Sequence, residues 1–153
     1  MDLSVVTTIA LVLPLFAAGC APTIDHHPGV VASGEHCDEE VGGSCAEATL
    51  VSEGGELEAV VEAWGYGRGA VEWDSEVLLF LGATDSSNCK VEVQDVVVDR
   101  AVVEVTTGTF KVERFQDDCV ADAISRSFVI TLGTAEPVSS VVVNGDPVLV
   151  VSP

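Results

Sequence analysis

Catalysis at a protein site needs a nucleophile, a proton carrier, a metal or an electrostatic clamp, and this chain distributes such groups unevenly. Its three histidines, His26, His27 and His36, all fall in the first quarter of 153 residues. Histidine is the usual general base near neutral pH. A Ser-His-Asp or Cys-His arrangement would therefore need one of them folded back against a nucleophile far along the chain. Nothing reads as Gly-x-Ser-x-Gly, a phosphate-cradling glycine loop, His-Glu-x-x-His or Ser-x-x-Lys. Carboxylates are plentiful, but a β domain of this size has little room for a deep substrate cleft. The expectation is a protein that is not an enzyme and carries no cofactor.

Two groups of residues could hold a metal. His26, His27, His36, Asp38 and Glu39 have the chemistry for zinc or copper, although ligands on a flexible segment must be ordered as the metal binds. Asp85, Asn88, Asp117, Asp118 and Asp122 offer hard oxygens suited to calcium if the loops that carry them meet at one end of the fold. They do not follow EF-hand spacing. The remaining distinctive segment is Trp64-Gly65-Tyr66-Gly67-Arg68-Gly69-Ala70-Val71-Glu72-Trp73. It holds both tryptophans and the only tyrosine. Trp64, Tyr66, Arg68 and Trp73, spaced by glycines, have the composition of an interface anchor or a sugar-stacking platform. Equally, two large rings would serve as plugs for a core built mostly from valine.

The cysteines point to a compartment. Residues 3–18 form one apolar stretch containing Pro14 and ending in small residues, too short for an ordinary membrane span and built like a cleavable secretory signal. Ala17-Ala18-Gly19-Cys20 resembles a bacterial lipobox, in which the cysteine becomes the lipidated first residue of the mature protein. Setting Cys20 aside leaves Cys37, Cys45, Cys89 and Cys119, an even number in a chain that reads as exported, so two disulfides are expected. Four cysteines allow three connectivities. We favour Cys37–Cys45 with Cys89–Cys119 over a zinc site, which would show Cys-x-x-Cys pairs.

Charge narrows the partners. Six Lys plus Arg stand against 25 Asp plus Glu, a formal net charge of −19. Nucleic acid is excluded as a partner, since phosphate binding needs a basic face, and electrostatic docking on anionic lipid is disfavoured. Disorder throughout is disfavoured too, because 48% of residues are apolar and occur in runs able to form a core. Between Cys20 and Arg68 there is no Lys or Arg, while acidic residues recur from Asp25 to Glu62. Residues 20–47 are therefore read as an acidic tether with a local disulfide loop, following a signal peptide at 1–19.

From residue 48 to 153 short β-type runs alternate with turn residues. Leu57, Ala59, Val61 and Ala63 alternate with mostly Glu in 56–63, which predicts a strand, although Leu57, Val60, Val61 and Trp64 also suit one face of a helix. Further runs are 76–81, 90–94, 103–105, 109–115, 127–132, 138–143 and 148–151. Asn144-Gly145 supplies the positive φ of a tight hairpin, and Pro147 marks the returning strand as an edge. Seven or eight strands with little helical pattern predict an all-β, antiparallel β-sandwich of immunoglobulin-like architecture.

The segments Ser86-Ser87-Asn88-Cys89, Cys119-Val120-Ala121-Asp122 and Arg126-Ser127-Phe128-Val129-Ile130-Thr131-Leu132 make the region from Asp85 to Val151 similar to small uncharacterised lipoproteins of high-GC Gram-positive bacteria. That resemblance supports pairing of Cys89 with Cys119 and implies no activity. The combined expectation is a lipoprotein anchored through Cys20 on the outer face of a cell membrane. It would act as a binding or interaction module with an envelope protein or glycan as partner. The alternatives are metal handling and a structural or accessory role in the envelope.

Overall fold

The computed structural model describes residues 28–34, 48–112, 118–120, 123–151 and 153. Cys20, Cys37, Cys45, the three histidines, Asp38, Glu39, Asp117 and Asp122 lie outside the described residues. So do the expected signal peptide, lipidation site and Cys37–Cys45 pair.

Runs of valine, isoleucine and phenylalanine bounded by Gly, Pro and Asn favour extended backbone, since branched and aromatic side chains pack well on a pleated surface. The strands are β1 (Gly29–Gly34), β2 (Ala48–Val51), β3 (Leu78–Asp85), β4 (Cys89–Asp99), β5 (Val102–Lys111), β6 (Ile124–Thr131), β7 (Ser140–Val143), β8 (Asp146–Val148) and β9 (Val150–Val151). One helix, α1 (Leu57–Ala63), lies between β2 and β3. The strands form two sheets, ordered β1-β6-β3-β2-β9 and β4-β5-β7-β8.

The two sheets share one apolar layer. Leu79, Leu81, Phe128 and Ile130 from the five-stranded sheet pack with Val103, Val105 and Val141 from the other, and Val91, Val93, Val96 and Val98 close its margin. The opposite face of the five-stranded sheet is also covered. Leu78, Phe80, Val129 and Val51 lie beneath Leu57, Val60 and Val61 of α1, with Trp64, Tyr66 and Trp73 completing the cover. The central strand β3 is consequently apolar on both faces, and Leu78, Leu79, Phe80 and Leu81 are all buried. Such a continuous run marks a strand covered on both sides.

Several expectations are corrected. Residues 57–63 are helical, because Leu57, Val60 and Val61 fall on one helical face and the outer surface of β3 and β6 offers apolar area to bury. Gly29–Gly34, placed in the tether by the sequence, pairs with β6 as an edge strand with a bulge between Val30 and Ala32. The runs at 103–105 and 109–115 belong partly to a single strand, β5, within which Gly108 leaves space that the Gln94 side chain occupies. The pairing is not wholly antiparallel either, since β2–β9 and β5–β7 are parallel pairs. Residues 148–151 divide at the exposed Leu149, so β8 ends one sheet and β9 joins the other. The Asn144-Gly145 turn is as expected, with φ of 52° and 89°, and β8 with Pro147 is an edge.

Candidate functional site

Three places on the body bring together the residues that could act, beginning with the end of the fold at the bridge. Cys89 opens β4 and Cys119 lies in the loop before β6, and the two form a disulfide across a separation of 30 residues. Beside it Asn88 is buried and fully engaged. Its Oδ1 accepts from Val120 N–H (2.8 Å) and from the Ser86 hydroxyl (3.1 Å), while its Nδ2 donates to the Asp118 carbonyl (3.1 Å). Asp85, the last residue of β3, has a side chain with no solvent exposure. Its carboxylate accepts from Val91 N–H at 2.6 Å and lies 3.3 Å from Arg126 Nη1 and 3.8 Å from Lys90 Nζ. The Arg126 guanidinium lies 5.4 Å from the centre of the Phe128 ring, a cation–π arrangement.

This geometry explains the buried acid. Ala83 is register partner to Arg126, so Asp85, two residues along β3, comes diagonally within reach on the same face. The Asp85 carboxylate is already engaged by two cations and a backbone N–H, with which a calcium ion would have to compete. Asn88 is committed likewise. Of the five candidate calcium ligands, the structure therefore turns Asp85 and Asn88 into framework groups, and Asp118 contributes its backbone carbonyl to Asn88. Among the described residues no group of three or more His, Cys, Asp or Glu side chains is arranged for a metal.

The second place is the aromatic segment. Tight bends at Gly65 (φ 77°) and Gly69 (φ 75°) let the chain fold back over the sheet. Trp64 and Tyr66 rest on the buried Phe80, with ring centres 5.8 Å and 6.3 Å away. Each polar tip is satisfied: Trp64 Nε1 donates to the Thr49 hydroxyl at 3.3 Å, and Tyr66 shares a 2.9 Å hydrogen bond with the buried Ser127 hydroxyl. Burial pushes the Tyr66 phenol above its ordinary pKa, against opposing pulls from the Ser127 hydrogen bond and the Arg126 charge. Trp73 covers Gly54, where a Cβ would meet its ring at 2.8 Å. Trp64, Tyr66 and Trp73 thus use one face each as cover for the second core, and Arg68 is the exposed member of the four.

The third place was not legible beforehand. Strands β1 and β4 are edges of different sheets and lie against one another along the same side of the fold. Val30, Val31 and Val97 are exposed there. Beside the β4 edge runs an open groove of about 540 Å³ lined by Val96, Val97, Val98 and Arg100 on one side and by Pro28, Leu132, Gly133, Thr134 and Glu136. The sequence signal for it was the apolar run Val96-Val97-Val98, which breaks the alternation of β4.

Lys90, Arg126, Phe80 and Ser127 are the structurally decisive residues that sequence reasoning passed over. Arg126 could have been found by parity: it shares a strand face with Phe128 and Ile130, so a buried acid had to meet it. Among the described residues no helix is long and apolar enough to cross a membrane. No family model matches the chain, and no curated protein or solved structure matches it either.

Proposed function

We propose that this chain is an extracytoplasmic lipoprotein, held on the outer face of a cell membrane through an acylated Cys20, whose body is a non-catalytic interaction module. The observation that carries the reading is the Cys89–Cys119 bridge. Structural disulfides persist in oxidising compartments and are rare in reducing ones. The leader ending in Ala17-Ala18-Gly19-Cys20 supports the anchor. In this reading the body is an immunoglobulin-like sandwich, Cys37–Cys45 closes a second local loop, and the eight residues between Cys20 and β1 form the tether.

The engagement of Asp85 by Lys90 and Arg126, and of Asn88 by loop backbone, favours an interaction role over calcium handling at that end of the fold. The side of the fold between β1 and β4 then serves as the contact surface for an envelope partner. Mass spectrometry of the protein purified from its native membrane tests the proposal. The expected product begins at Cys20 with acyl chains on its sulfur and contains both disulfides. A product beginning at Met1 with every cysteine reduced would overturn it.

A further inference from the structure

We propose that the edge of β4 opposite β5, which pairs with no other strand among the described residues, accepts an extended basic segment of another polypeptide as an added strand of the four-stranded sheet. The inference rests on the interaction-module reading and names the class of partner and the mode of contact.

The two edges of that sheet are built differently. At one side β8 has three residues and includes Pro147, which cannot donate to a ladder. Short length and proline are ordinary ways of blunting an edge. At the other side β4 has 11 residues, contains neither proline nor, from Val91 to Asp99, any lysine, and pairs only with β5 among the described residues. Its outward main-chain groups are identifiable. Val105 directs its carbonyl to Asn144 N–H (3.0 Å), away from β4, so the opposed pair Val96–Val105 is one that exchanges no backbone bonds. Val96 and, two residues on, Val98 therefore present their N–H and C=O groups to the free side. These two residues also line the groove beside the edge, which gives alternate side chains of an added strand a place to enter.

Charge selects the occupant. Glu92, Asp95 and Asp99 are exposed along β4 and Glu136 lines the groove, while the local cation Arg100 is shared with Asp99 at 4.0 Å. A second copy would bring the same carboxylates against these, on a chain whose net charge is already −19. Like charges placed opposite one another on strands are destabilising. A segment alternating Lys or Arg with apolar residues meets the opposite condition. Asp95 Oδ1 accepts the Val96 N–H at 3.0 Å in the free protein. An incoming carbonyl takes over that N–H, and the released carboxylate pairs with a basic side chain of the added strand.

The test uses synthetic peptides of β4's own length, 11 residues, alternating Lys and Val, with the full chain as receptor. The same peptide N-methylated at consecutive backbone amides, so that neither edge of a strand keeps its donors, retains every side chain and charge but cannot pair as a strand. Calorimetry should show the unmodified peptide binding about tenfold or more tightly than the N-methylated one, with protection of the Val98 amide from hydrogen exchange. Asp95→Lys, at an exposed position, should weaken binding without altering the circular dichroism of the fold. Equal binding of both peptides would reduce the effect to charge alone and overturn the proposal, as would no binding. Protection of the Val98 amide in the free chain at low concentration would assign the edge to a segment of this chain. Dimerisation in analytical ultracentrifugation would assign it to a second copy, and either result overturns the inference. Failure here leaves the acyl group on Cys20 and the disulfides untouched, so the two readings fall separately.

Discussion

Reduction of the Cys89–Cys119 bridge is the perturbation whose effect follows most directly from chain connectivity. The bridge closes a separation of 30 residues. In the chain-entropy treatment, releasing such a loop in the unfolded ensemble removes about 3.5–4 kcal/mol of stability. For a body of this size that corresponds to a drop in Tm of about 15 °C or more. Reduction is preferable to substitution, because Cys89 is 2% exposed and truncating it would add the cost of a cavity. The folded contacts are expected to survive, since Asn88 independently ties the same loops through Val120 N–H and the Asp118 carbonyl. Urea unfolding followed by far-ultraviolet circular dichroism, with and without reductant in a Cys37→Ser/Cys45→Ser background so that only this bridge is broken, measures the difference. Asn88→Ala provides the coupling: both perturbations act on one pair of loops, so their combined effect should depart from the sum of the two. A loss below about 1 kcal/mol on complete reduction would refute the reasoning, because loop closure would then not be what the bridge contributes.

Three further outcomes are expected. Asp85→Asn removes the charge that holds Lys90 and Arg126 while preserving side-chain volume, and should cost about 2–4 kcal/mol in urea unfolding; a change within about 0.5 kcal/mol would mean that the three groups form no working cluster. Phe80→Ala should cost about 3–5 kcal/mol and shift tryptophan emission to the red as Trp64 loses its support, whereas an unchanged spectrum would contradict the aromatic cover. For Tyr66, a raised phenol pKa means that its contribution is complete below the ordinary value of 10.0 and is lost as pH rises through the higher folded value. Stability should therefore fall at alkaline pH in the wild type. In Tyr66→Phe that component should be absent, and about 1 kcal/mol should already be missing at neutral pH with the Ser127 hydrogen bond. Tyr66 is the only tyrosine, so phenolate absorbance reads its titration without overlap.

The candidate site shows where sequence reasoning reaches its limit. Asp85 and Asn88 were singled out for their oxygens, and proximity of their loops to Cys119 followed from the expected bridge. Their partners did not follow, because whether an oxygen is open or occupied depends on residues such as Arg126, which is 41 positions away and reaches Asp85 only through strand register. The aromatic segment was ambiguous for a related reason. Trp64, Tyr66 and Trp73 have the same composition whether they face a ligand or Phe80.

What the sequence determined by itself was set by local rules. Period-two alternation and β-branched residues specified strands, Asn144-Gly145 specified a hairpin because both residues tolerate positive φ, and Pro147 specified an edge because it lacks a donor. Tertiary structure decided the rest. Residues 57–63 carried both a strand pattern and a helical face, and the uncovered apolar surface of β3 and β6 selected the helix. Gly29–Gly34 became a strand because β6 had a free edge to pair with. Leu149 became a crossing point because two sheets, not one, needed a final strand. In each case the deciding free energy belongs to surface and hydrogen-bonding groups contributed by residues far away in the chain, to which no local pattern refers.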